Sequence, residues 1–257
     1  GVGKSLFMCH LASSYLLQGL NVLYITLEMA EERIAERIDA NLLDVTMEDL
    51  HEMPQQLYDG KMKNLREKTQ GQLIVKEYPT ASAHSGHFKS LMNELALKKS
   101  FRPDVIFIDY LNICASSRFK GGNISSYFYV KAIAEELRGL AVEFNVPIFS
   151  ATQTTRTGYV STDIGLEDTS ESFGLPATAD FMFALISNEE LEALGQMKVK
   201  QLKNRYNDPS INRAFIIGVD RAKMRLYDVQ QKAGEIVDAN QVDEKEDAYN
   251  KFSDFKL

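Results

Sequence analysis

The chain opens on GVGKS, and Gly3-Lys4-Ser5 match the last three places of the nucleotide-binding loop GxxxxGK[ST]. Residue types in this order do phosphate chemistry. Backbone N–H groups from Gly1 to Ser5, at the start of a helix, would cradle phosphate oxygens. Lys4 would neutralise the β- and γ-phosphates of ATP, and the Ser5 hydroxyl would ligate Mg2+. The motif's first glycine falls upstream of Gly1, so the sequence is expected to be a piece cut inside the motif. Alone, so short a match also suits a chance glycine-rich start.

A second element changes that balance. A phosphate-loop fold needs a strand ending in an acid to hold the metal, often through water, and IFID at 106–109 supplies Asp109. A carboxylate after three apolar β-formers is a poor choice for packing, because a buried charge is costly unless paired. The bland alternative is an Asp that caps the next segment. Taken together, the two elements predict a P-loop NTPase. Hydrolysis also needs a group to orient water, and Glu28 follows the strand NVLYITL, where ligands gather in open α/β sheets. Position alone serves a second role equally well: Glu28 opens the helix MAEERIAERIDA, where negative charge suits the dipole. His84 and His87 lack further His or Cys at ligand spacing and read as a helix-start loop.

Regular alternation of elements must position these groups. A helix is predicted from Lys4 to Gln18, stopped at Gly19, then an almost wholly apolar strand at 21–27 and a helix through Ala40. Strands follow at 72–78, 105–109, 146–152 and 181–186, with helices over His84–Lys99 and over the apolar stripe Val130 to Phe144. Shorter strands at 197–203, 214–219 and 224–229 are joined by tight turns. Spacing suits βαβ crossovers, so the class is α/β with a mainly parallel sheet and a C-terminal antiparallel extension. Residues 5–27 carry no charged side chain, but the rhythm breaks at Gly19, which predicts a buried helix and strand and not a membrane span.

The full order of motifs carries a resemblance. GVGKS, ITLEMAEERIAERIDA, VIFIDYL and IAEELRGLAVEFNVPIFSATQ resemble the RecA-like motor domain of hexameric replicative DNA helicases of the DnaB type. ESFGLPATADFMF followed by KQLKNRYND is similar to the branch found in T-even-like phages. The resemblance covers roughly residues 1–227. It implies that Lys4 and Ser5 bind ATP and Mg2+, that Glu28 is the catalytic carboxylate and that Asp109 is the metal-associated acid. Gln153 resembles the glutamine linking the γ-phosphate to DNA-binding loops; without the resemblance it is a polar residue at a strand end. Lys203 and Arg205 match the cations that reach a neighbouring subunit's ATP site; a lone K-x-R is otherwise a solvated edge.

DNA contacts are implied in two loops. One spans residues 170–174, with Glu171 and Gly174, although bacterial relatives carry Arg where this chain has Ser170. The other is the Ser- and Gly-rich stretch with Arg118 and Lys120, which also suits a flexible connector. The implied activity is ATP-driven translocation on single-stranded DNA by a homohexamer, with a primase and a helicase loader as partners, in the cytoplasm of a bacterial host. A RecA-type strand-exchange ATPase, a small-molecule kinase and an inactive fragment are the alternatives.

Composition agrees with this class and excludes others. The 257 residues are 44% hydrophobic and 25% charged, enough for a sizeable core. Cys9 and Cys114 stand far apart, so neither a disulfide framework nor a CxxC metal site is available. The net charge of −7 argues against a histone-like binder but not against a local basic lining. Residues 228–257 hold eight acids and four lysines and are expected to form a mobile acidic tail, which would either dock another protein or only solubilise.

Overall fold

A computed structural model describes residues 2–119, 124–153, 165, 174–208 and 211–230. The elements are α1 (Lys4–Leu17), β1 (Val22–Thr26), α2 (Glu31–Leu43), α3 (Met47–Glu52), α4 (Gln55–Lys68), β2 (Leu73–Glu77), α5 (Ser85–Lys99) and β3 (Val105–Asp109). After a 3-10 turn at Leu111–Ile113 come α6 (Ser126–Phe144) and β4 (Ile148–Ser150), then β5 (Phe181–Ile186), β6 (Gln196–Asn204), β7 (Ala214–Asp220) and β8 (Arg225–Asp228). Two further short helical turns lie at Gly174–Thr178 and Glu189–Ala193.

Four strands form a parallel sheet in the order β2-β1-β3-β4. Both central strands are buried along their whole length, and period-two alternation divides their side chains between two cores. Leu23, Ile25, Ile106 and Ile108 meet Phe88, Met92, Ile133 and Leu137 of α5 and α6. Val22, Tyr24, Val105 and Phe107 meet Met8, Cys9, Ala12 and Leu16 of α1 and Ile34 and Ile38 of α2. The register sets Thr26 beside Asp109 and Ile108 beside Ser150, so the carboxyl ends of three strands form one edge.

The remaining strands form a separate antiparallel sheet, β5-β6-β7-β8. FMFALI therefore belongs to the antiparallel sheet and opens it. Its inner face, with Met197, Val199, Ile217 and Val219, packs on Leu6 and Phe7 of α1. Helix α1 thus lies between two sheets, which is why residues 5–27 can dispense with charge. A polar joint holds the layers together: Asn41 Nδ2 donates to Met224 O at 2.5 Å, and Leu226 N donates to His10 Nδ1 at 3.3 Å. Burial lowers the pKa of His10, consistent with a neutral ring accepting at Nδ1. Among the described residues no helix is long and apolar enough to cross a membrane.

Several boundaries differ from the sequence expectation. The first helix stops at Leu17, the second runs on to Leu43, and the strand expected at 146–152 is hydrogen-bonded as β4 only over Ile148–Ser150. Helices α3 and α4 are additions to the expected series. Neither buries a residue, so no apolar stripe announces them. Local chemistry forms them instead: Thr46 and Asp49 make a capping box at α3, and Tyr58 of α4 donates to Asp39 of α2 at 2.8 Å. Gly71 then passes so close to α1 that a Cβ would stand 2.7 Å from the carbonyls of Leu16 and Leu20. The expected tail from 228 lies outside the described residues after position 230.

Phe107 is the sheet's aromatic keystone, with Tyr24 stacked at 5.7 Å and Phe149 at 5.3 Å. We expect Phe107→Ala to destabilise the protein by about 3–5 kcal/mol, read as a lowered urea midpoint, with Phe107→Leu losing less.

Candidate active site

The turn into α1 is left-handed at Gly3, where φ is 95° and a Cβ would meet Met197 at 3.2 Å. The positive φ is what demands glycine here, and a Cβ would in addition crowd the Met197 methyl. No side chain caps α1, so the amides of its first turn are not occupied by a cap, while Phe7 N already bonds Gly3 O at 2.9 Å. Lys4 stands at this turn, its Nζ 5.7 Å from the centroid of the Tyr110 ring. Gly1 lies outside the described residues.

Glu28 is exposed on the turn that leaves β1. That turn is pinned: the Thr26 hydroxyl donates to Met29 O at 2.8 Å and accepts from Met29 N at 3.1 Å. Leu27 N donates to Asp109 O at 2.8 Å, and Thr80 Oγ1 donates to Leu27 O at 2.7 Å. A carboxylate so displayed can face a ligand at the sheet edge without its backbone moving.

Asp109 is fully buried at the end of β3. Tyr24 Oη donates to its Oδ2 at 3.0 Å, whereas Oδ1, also buried, has no hydrogen-bond partner among the described residues. Burial, reinforced by Cys9 and Asp109, drives the Tyr24 pKa well above the ordinary phenol value, and burial pushes the Cys9 thiol up to about 12. Both groups stay protonated beside the carboxylate. An unpartnered buried carboxylate oxygen fits a hard cation or its bound water. No group of three or more His, Cys, Asp or Glu forms a metal cage among the described residues. The residues that could hold such a cation are Asp109, through Oδ1, and Ser5, through its hydroxyl in the first turn of α1.

Gln153 lies past the end of β4, so it is not a strand residue, but it remains at the same edge. Leu111 N donates to Ala151 O at 3.0 Å, Thr152 Oγ1 donates to Asn112 Oδ1 at 2.7 Å, and Gln153 Nε2 donates to Tyr110 Oη at 3.3 Å. The structure thus brings Lys4, Asp109 and Gln153 around Tyr110. Glu28 is near enough for its charge, after burial, to raise the Tyr110 pKa, with Asp109 adding to it.

Lys203 and Arg205 lie elsewhere. Met197 of β6 touches the Gly3 turn, and six residues on, roughly 20 Å along an extended strand, comes Lys203. Lys203 Nζ donates to Pro176 O at 2.5 Å, and Arg205 pairs with Asp180 at 2.5 Å, as does Arg138 at 3.2 Å. Burial, then the Arg205 charge, lowers the Lys203 pKa.

Of the residues expected to touch DNA, Lys120 and Glu171 lie outside the described residues. Arg118 and Gly174 meet one stripe of α6: Arg118 pairs with Glu135 at 2.5 Å, and a Cβ on buried Gly174 would stand 3.0 Å from the Lys131 side chain. His84 and His87 do cap α5, with His84 Nδ1 accepting from Gly86 N at 3.0 Å and His87 Nδ1 accepting from His84 N at 3.2 Å.

Glu136 is a residue that sequence reasoning misses, although a carboxylate beside Ile133, Leu137 and Leu140 on the apolar stripe of α6 is a signal. It accepts from Ser116 Oγ at 2.6 Å, Ser117 N at 2.9 Å, Arg118 N at 3.4 Å and Ser85 Oγ at 2.9 Å, and so moors the loop that carries Arg118. Burial alone would raise its pKa, but hydrogen bonds from Ser116, Ser117 and Ser85 outweigh burial and lower it. A lowered folded value gives stability that is complete above the unfolded pKa of about 4.3 and is lost as pH falls through the folded value. We expect Glu136→Gln to cost about 1–3 kcal/mol near neutrality. The gap in melting temperature from wild type should stay flat until pH nears about 4.3, then close.

This arrangement has known counterparts. The sequence matches the family described as DnaB-like helicase C terminal domain over residues 1–233. A DnaB-like replicative helicase of Enterobacteria phage T4 is 46% identical over 258 residues, covering 97% of this chain and 54% of the relative. A probable plasmid replicative DNA helicase of Chlamydia trachomatis is 32% identical over 158 residues, 60% of this chain and 33% of that protein. The chain thus spans about half the length of the T4 relative. Among solved structures, one described as an ATPase domain superposes with a TM-score of 0.72 at 17% identity, covering 90% of this chain and 82% of that one. A DnaB-like replicative helicase, described with its interactions with primase, gives a TM-score of 0.71 at 16% identity, covering 90% and 55%. These structures share the RecA-like fold. With a glycine turn, a strand-end acid and a pinned glutamate on one sheet edge, the chain belongs to the DnaB-like helicase C-terminal domain family.

Proposed function

We propose that this chain is the motor of an ATP-driven replicative DNA helicase that works as a homohexameric ring on single-stranded DNA. The observation that carries this reading is the convergence of the Gly3 turn, Lys4, Glu28, Asp109 and Gln153 at the carboxyl edge of the parallel sheet, where ligands of open α/β sheets bind. Residues 1–227 form the motor, and the acidic segment from 228 is an appendage.

The α1 amides and Lys4 hold the ATP phosphates. Ser5 and Asp109 hold Mg2+, which when bound screens the charge on the β- and γ-oxygens. Glu28 orients and polarises the attacking water, and the pinned turn keeps its carboxylate in line. Gln153 senses the γ-phosphate. Lys203 and Arg205 act on the ATP of the adjacent copy, because roughly 20 Å of β6 separates them from the chain's own phosphate turn. Arg118, Lys120, Glu171 and Gly174 belong to the loops that hold the DNA strand, mostly by its backbone. A primase, a loader and residence in a bacterial host's cytoplasm complete the reading.

The test is ATP hydrolysis with and without single-stranded DNA, on protein carrying the complete phosphate loop. Strong stimulation by DNA is expected, with Glu28→Gln lowering the stimulated rate at least about 100-fold while ATP still binds. Turnover indifferent to DNA would sink the proposal and point to a small-molecule phosphate acceptor. A closed six-fold ring in electron micrographs, in place of an open filament, separates a helicase from a strand-exchange protein.

A further inference from the structure

Tyr110 has no role in the motif reading, yet it touches two of the groups that have one. Its ring lies under the Lys4 ammonium, 5.7 Å from centroid to Nζ, within the range of a cation–π contact. Its hydroxyl oxygen accepts from Gln153 Nε2 at 3.3 Å. The backbone beneath is fixed, since Ile113 N donates to Tyr110 O at 3.3 Å and Leu111 N donates to Ala151 O at 3.0 Å. The Cα from which the ring projects therefore stays in place when one of its two partners moves.

We propose that Tyr110 is a positioning residue that couples the phosphate-binding lysine to the sensor glutamine. Without nucleotide, the ring parks Lys4 and the hydroxyl holds Gln153. Phosphates draw the ammonium off the ring, because an anion outcompetes an aromatic face for a lysine. The phenol then loses its cation, and with the ring's electron density no longer drawn toward the ammonium its oxygen becomes a stronger acceptor for Gln153. One side chain thus reports arrival of phosphate at α1 to the residue that follows β4. This inference rests on the roles proposed above for Lys4 and Gln153.

A double-mutant cycle tests it. ATP turnover is measured with and without single-stranded DNA for wild type, Tyr110→Phe, Gln153→Ala and the double variant. Tyr110→Phe keeps the ring and removes the hydroxyl, so it should lower kcat about tenfold, the loss of one aligned hydrogen bond, with KM for ATP within about twofold. The double variant should be no slower than Gln153→Ala alone. Tyr110→Leu, which removes the ring as well, should also change KM. Gln153→Glu, at an exposed position, replaces the donor with an acceptor and should reproduce the Tyr110→Phe loss even if ring variants fold poorly. Wild-type kcat in Tyr110→Phe, or a double variant slower by the product of the two single losses, would overturn the coupling. If wild-type turnover ignores DNA, the helicase reading falls, and the same cycle is scored on DNA-independent turnover.

Discussion

Helix α1 is buried on two sides, and the site depends on that. Met8, Cys9, Ala12 and Leu16 face the parallel sheet, while Leu6 and Phe7 face the antiparallel one. A helix clamped this way cannot roll or slide without opening one of two cores, so its first turn is held rigidly against the ends of β1 and β3. Phosphate recognition by backbone amides needs such rigidity, because amides have no side-chain freedom with which to find a ligand. The consequence is a restricted composition: neither α1 nor β1 carries an acidic residue, and past Lys4 their only titratable side chains are Cys9, His10, Tyr15 and Tyr24.

Asp109 shows the opposite bargain. A carboxylate with one oxygen left without a partner among the described residues, in a fully buried strand, opposes folding and would be eliminated from a core shaped by packing alone. Its neighbours accommodate it only in part. Tyr24 satisfies Oδ2 from the adjacent strand, and the Cys9 thiol nearby remains neutral. Local rules broken at one point inside an otherwise consistent core mark function more clearly than any exposed charge does.

The candidate edge is legible in the sequence because its residues obey spacing rules that physics imposes locally. Gly3-Lys4-Ser5 opens a helix, Asp109 closes an apolar strand, and Glu28 follows another. What is not legible there has identifiable causes. Helices α3 and α4 bury nothing, so hydrophobic periodicity is silent, and only the Thr46–Asp49 box betrays the first of them. FMFALI reads as one more strand of the alternating series, because strand propensity does not say which sheet receives it. Tyr110 and Glu136 matter through partners far away in sequence: Lys4 and Gln153 for one, Ser85 and Ser116 for the other. Fold topology creates those meetings, and no window of neighbouring residues contains them.

Strand β6 is a mechanical part as much as a layer of the sheet. Its start touches the Gly3 turn through Met197, and its far end carries Lys203 beside the carbonyls of Pro176 and Ala177. Over Lys198–Lys200 it is hydrogen-bonded on both sides, by β5 and β7, and the ladder to β5 continues to Asn204 past a bulge at Leu202. The strand is a strut. A displacement of the Gly3 turn would travel along β6 toward Lys203, and the bulge at Leu202 is where the ladder can absorb part of it.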